Sequence, residues 1–161
     1  MRLLPALPLL AALLFPSALT PSALAATTTQ YAVLRGVQVQ GRVATLTLDY
    51  VDVFSDTDAD ARRVVALGDY PSAQAYFEAN PGGMYVRNVN PLLRTLKTDA
   101  RTVFALSCLD RPDGVQAVPL ETFVSAWKGF APQGCWPFSE RVVALHLNGT
   151  RVLRAEQVYF P

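Results

Sequence analysis

Few side chains in this 161-residue chain combine the type and spacing that chemistry needs. The densest group lies in residues 84–98, MYVRNVNPLLRTLKT, where Arg87, Arg94 and Lys97 stand with Asn88 and Asn90 around Pro91. Planar guanidinium groups match carboxylates and phosphates, and neighbouring amides add donors. Arg87, Asn88, Asn90 and Arg94 are therefore the candidate binding residues, and a small anion is the ligand class they suit. A plainer account is the stronger one at this stage. In it Asn90 before Pro91 begins a turn, Arg87 is a solvent-facing strand residue, and the cations solvate a sheet edge. Alternation places Tyr85, Arg87 and Val89 on one face and Met84, Val86 and Asn88 on the other, so neither face is purely solvent-facing.

The acids come next. DTDADARRVVAL, from Asp56, starts like a calcium loop, with aspartates at Asp56, Asp58 and Asp60. Ala61 then stands where that loop needs glycine, and Leu67 where it needs a bidentate glutamate. A helix start explains the same acids without a metal. Asp49 and Asp52 would suit a carboxylate pair for glycoside hydrolysis, but in one strand they point to opposite faces. His146 is the only histidine. No G-x-S-x-G elbow accompanies it, and it reads as an exposed strand residue facing Arg151. One histidine and two bridged thiols also leave too few ligands for zinc, so no metal, cofactor or catalytic residue is assigned.

Cys108 and Cys135 are the only cysteines. They lack C-x-x-C spacing and an activating cation, so a structural disulfide is expected if the chain is exported, stabilising the fold by about 3.5 kcal/mol. Trp127, Phe130, Trp136 and Phe138 flank the second cysteine, and read as a core plug ahead of a partner site. NGT at 148–150 matches a glycosylation acceptor, which a hairpin turn explains better.

The elements that must position these groups follow from pattern. Residues 1–25 carry Arg2, an apolar run from Leu3 to Phe15, and Ala23 and Ala25 in an A-x-A arrangement, which is a signal peptide cleaved after Ala25. Pro5, Pro8 and Pro16 interrupt the run before it could span a bilayer. The expected location is secreted or periplasmic, with one domain at 26–161. Without Arg2 the chain holds 13 basic and 13 acidic residues. That balance argues against a nucleic-acid partner or a polybasic membrane surface. Residues 31–54 read as a hairpin turning at Gly41 and Arg42, with Val39 facing Ala44, Val37 facing Leu46 and Val33 facing Tyr50. In that register Arg35 is the one charge on the apolar face. A helix starts at Ser55 or Asp56 and stops at Gly68, and a second runs from Ser72 to Ala79. MYVRNV and TVFALSCL are strands, and Leu120, Phe123, Val124 and Trp127 recur at helical spacing. Asn148 and Gly149 centre a last hairpin. The sum is an α+β domain: a mainly antiparallel sheet, with room for barrel-like curling, terminal hairpins and about three short helices.

YVRNVNPLLRTL, preceded by LTLDYVDVF and followed by a Gly-turn hairpin ending RAEQVYFP, resembles an uncharacterised family of small exported bacterial proteins. There a Tyr-rich strand runs into an Asn-containing corner and an Arg-Thr-Leu block. The resemblance covers roughly Asp49 to Leu96 and the last fifteen residues, and leaves out both cysteines. It implies export and a shared fold, and assigns no activity. The leading functional reading is a non-catalytic binding or interaction module for a small anionic ligand or a protein partner. A small carboxylate-dependent hydrolase and a structural envelope component are the alternatives.

Overall fold

The computed structural model describes residues 26–81, 83–109 and 114–160. Residues 1–25, read above as a signal peptide, lie outside the described residues. The two terminal hairpins form and pair with each other. β1 (Thr27–Gln40) and β2 (Val43–Ser55) turn at Gly41, whose φ of 60° puts glycine first in the two-residue loop. β7 (Val142–Asn148) and β8 (Arg151–Gln157) make the second hairpin, and β1 runs antiparallel to β7.

Near its turn the first hairpin has the expected register, Val39 with Ala44 and Val37 with Leu46. A bulge between Leu34 and Gly36 then changes the parity, so Val33 faces Asp49 and not Tyr50. The physical reason is Arg35. In an unbroken ladder it would enter the apolar face, where an unpaired cation costs several kcal/mol. As the extra residue of the bulge it turns out to Asp49, and Leu34 and Ala32 take the core positions. The second hairpin also departs from expectation. Gly149 and Thr150 form the loop, Asn148 pairs with Arg151, and His146 pairs with Arg154 in place of Arg151. The shift puts glycine, at φ 59°, first in the loop, and a bulge between His146 and Leu147 lets Leu145, Leu147, Val152 and Ala155 all stay buried.

Between the hairpins lie α1 (Asp58–Ala66), α2 (Ala73–Ala79), β3 (Met84–Arg87), β4 (Leu93–Lys97), β5 (Val103–Ser107), β6 (Val115–Val118) and α3 (Leu120–Trp127). The sheet order is β3-β2-β1-β7-β8-β5-β6, with β4 also on β2. All pairs are antiparallel except β5 with β8. The sheet does not close into a barrel. β4 and β6 were not expected: Pro91 and two cations mask the first, and four residues between a turn and a helix are too few to read as the second.

Phe123, Leu120 and Ala126 of α3 cover the main core, built on Leu34, Leu46, Leu48, Leu106, Val143 and Leu145. α1 and α2 form a separate lobe at the far end of β2, packed on Phe54, Ala61, Val64 and Tyr76. α1 starts later than expected because Thr57 caps it, its side chain accepting from the Asp60 N–H. Asp60 accepts from the Ser55 N–H and hydroxyl, both at 2.9 Å, and these bonds with Arg63 hold its carboxyl below the ordinary 3.8. The folded-state value is the depressed one, so the unfolded chain takes up the proton first on acidification. Asp60's stabilisation is therefore complete above about pH 5 and is lost as the pH falls through the folded-state value. In urea titrations, the stability gap between the parent and Asp60→Asn should be constant near neutrality and shrink toward about pH 2.

Candidate functional site

The corner is an interruption in a single strand path. β3 and β4 both run antiparallel to β2, with Arg87 opposite Asp52 and Leu93 opposite Asp49. Residues 88–92 therefore loop out against only Tyr50 and Val51. Pro91 explains the break, because it has no N–H to give a ladder. The Leu92 N–H instead donates back to the Asn90 carbonyl at 2.7 Å, tightening the chain across the proline.

Asp49 anchors this loop from beneath. It is only 2% exposed, and its Oδ2 accepts from Asn88 Nδ2 at 2.8 Å and Arg35 Nη2 at 3.0 Å. One carboxylate thus ties the β1 bulge to the start of the looped segment. Its Oδ1 is buried with no hydrogen-bond partner among the described residues. Asn88 is consequently occupied in holding the loop.

Arg87 is similarly engaged. Its side chain is 17% exposed, with Nε donating to Asp69 Oδ2 and Nη1 lying 3.8 Å from Asp52 Oδ2. Asp69 follows α1 and also accepts from the Tyr85 hydroxyl at 3.4 Å, so Arg87 joins the helical lobe to the sheet. Arg94 differs. Its guanidinium lies over the Tyr50 ring at 4.6 Å and donates to the Leu92 carbonyl at 3.2 Å. Among the described residues no carboxylate stands within ion-pair distance of it. Stacking on an aromatic face fixes the planar group while leaving its edge donors free.

Together Tyr50, Arg94, Arg87, Asn90, Asp52 and Val89, with Gln30 and Val51, line an open cleft of about 170 Å³. Arg87, Asn90 and Arg94 meet there, whereas Asn88 points its amide at Asp49. Tyr50 and Asp69 were missed by the sequence reading. Tyr50 offered a signal, as an aromatic in the strand just before the acidic helix; Asp69 offered none.

Other sequence candidates lie elsewhere. His146 is half-buried and not exposed, with Nδ1 3.3 Å from Thr29 Oγ1. Cys108 and Cys135 are bonded, and the flanking backbone pairs Leu109 N–H with Gly134 O at 2.8 Å and Trp136 N–H with Ser107 O at 2.9 Å. The four aromatics divide. Phe138 is in the core and Trp127 half-buried, its Nε1 donating to the Leu34 carbonyl at 3.0 Å. Phe130 and Trp136 are exposed, contrary to a core plug, and Trp136 stacks on Tyr159 at 5.0 Å.

No protein-family model, curated protein or solved structure matches this chain. Among the described residues no helix is long and apolar enough to cross a membrane.

Proposed function

We propose that the protein is an exported, non-catalytic binding module that takes a small anionic group in the corner cleft. The supporting observation is the division of labour between its two arginines. Arg87 is neutralised by Asp69 and Asp52, while Arg94 is oriented by Tyr50 and lacks an acidic partner among the described residues. An oriented guanidinium edge beside the exposed Asn90 suits a carboxylate or phosphate. Export rests on the leader-like N-terminal sequence and fits the disulfide. The hydrolase alternative has weaker support, because the cleft lining holds one carboxylate, Asp52, and Asp49 is covered by Asn88 and Arg35.

The test is thermal unfolding against sugar acids, nucleotides and cell-wall fragments, with Arg87→Ala and Arg94→Ala beside the parent. A ligand at about 100 times its Kd stabilises by about 2.7 kcal/mol. That gain should vanish in Arg94→Ala, whose unliganded melting temperature should stay near the parent's. Arg87→Ala should melt lower without ligand, because Asp69 loses its partner. Equal ligand stabilisation of the parent and Arg94→Ala would overturn the reading.

A further inference from the structure

The cleft opens onto an unpaired strand edge. β4 pairs with β2 on one side and, among the described residues, hydrogen-bonds to no strand on the other, although it comes close to β8. Its hydrogen-bond phase is fixed by Thr98, whose N–H donates to the Ala44 carbonyl at 2.8 Å. Alternation then turns the backbone groups of Arg94 and Leu96 toward β2, and those of Leu93, Thr95 and Lys97 outward. No partner among the described residues takes these outward groups. Beyond them the chain turns at Asp99, which Arg151 of β8 holds at 2.8 Å.

An edge of this kind is a template for another strand unless charge, proline or a bulge blocks it. The looped residues 88–92 block β3's end of the path, but β4 itself pairs with β2 without a bulge. It carries Arg94 and Lys97 and no acid, with Leu93 57% exposed and Leu92 56% exposed at its start. Such a strand repels cationic segments and attracts acidic ones.

We propose that β4 accepts an acidic extended segment of a partner protein as an added antiparallel strand, with Arg94 as one of its charge contacts. This rests on the reading of Arg94 as the ligand-facing cation and names the anion as a carboxylate side chain. Cross-strand pairing sets the order. Opposite Lys97, Leu96, Thr95, Arg94 and Leu93 the best partners are acidic, apolar, threonine, acidic and apolar, which spells Glu-Val-Thr-Glu-Val. The first, third and fifth of these would exchange backbone hydrogen bonds with Lys97, Thr95 and Leu93. The second and fourth would not.

The probe is fluorescein-labelled Ser-Glu-Val-Thr-Glu-Val-Ser, titrated with the protein by fluorescence anisotropy at low salt. Saturable binding is expected. It should weaken at least about tenfold when the central threonine is N-methylated, because one hydrogen bond and its geometry are lost. N-methylation of the valine before it should change little. Thr95→Pro, which removes one outward N–H from an edge strand that tolerates proline, should weaken the parent peptide while leaving small-anion stabilisation intact. The peptide with lysine for both glutamates should not bind.

Absence of binding, or equal loss from N-methylation at either position, would overturn strand addition. So would a dimer that Thr95→Pro dissociates, since a second copy would then occupy the edge. If those results came with anion stabilisation still abolished by Arg94→Ala, the corner reading would stand alone. Anion stabilisation surviving in Arg94→Ala would remove both.

Discussion

Phe123→Ala should lower the unfolding free energy by about 3–5 kcal/mol, the range for emptying a fully buried aromatic site. Phe123 has no exposed surface and lies at the centre of α3's packing face. Its ring stands 5.1 Å from Phe104 and 5.3 Å from Phe138, the latter edge to face at 82°. Truncation removes both contacts, and the cavity has little prospect of collapse because its walls come from a helix, a strand and a loop. The same helix carries Trp127, whose indole N–H holds the Leu34 carbonyl beside the Arg35 bulge. Loosening α3 therefore reaches Asp49 through Arg35, and anion affinity should fall along with stability. Urea denaturation reads the first effect, and a loss below about 1 kcal/mol would contradict this account of the core.

The second large effect is loss of the disulfide. Cys108 and Cys135 are 27 residues apart, and opening such a loop should cost about 3.5 kcal/mol on the chain-entropy account. Backbone hydrogen bonds on both sides of the bridge, and Gln157 bonding Ser107, Trp136 and Pro137, keep the segment near its native place once the sulfurs are gone. The double variant Cys108→Ser with Cys135→Ser should thus fold at moderate temperature with a lower melting point. The bridge follows β5, at the other end of the strand order from β3 and β4. Anion stabilisation by Arg94 should accordingly survive in the folded double variant. A melting point unchanged from the parent would show that the bridge adds nothing to this fold.

These expectations depend on features that the sequence disclosed unevenly. Gly41 and Gly149 marked both hairpins because a positive φ in a two-residue loop is cheap only for glycine. Faces were less legible. Period-2 reading assumes an unbroken ladder, and the Arg35 bulge reverses the alternation halfway along β1, putting Leu34 where Val33 or Arg35 was expected. The placement of His146 failed for a similar reason: one residue of slip in the loop, and a bulge between His146 and Leu147, together moved its partner from Arg151 to Arg154.

The corner shows the same limit. Asn-Pro announced a break, and the cations around it were plain. What each cation does depends on tertiary partners that no local pattern reveals. Arg87 meets Asp69 across the helical lobe, the neighbouring Asn88 reaches a carboxylate 39 residues earlier, and Arg94 keeps its edge donors clear of acids among the described residues. Whether the strand path ended or resumed after Pro91 was equally hidden, because β4 is recognisable mainly by its pairing with β2.

The central claim is that Arg94 and the residues looped around Pro91 receive the anion. Backbone amide chemical shifts recorded while titrating the anion that most raises the melting temperature test it most directly. The account predicts saturable shifts concentrated at Tyr50, Asn88, Asn90 and Arg94, and their loss in Arg94→Ala. Saturable shifts centred instead on Trp136 and Tyr159, or shifts at the corner that persist in Arg94→Ala, would contradict it.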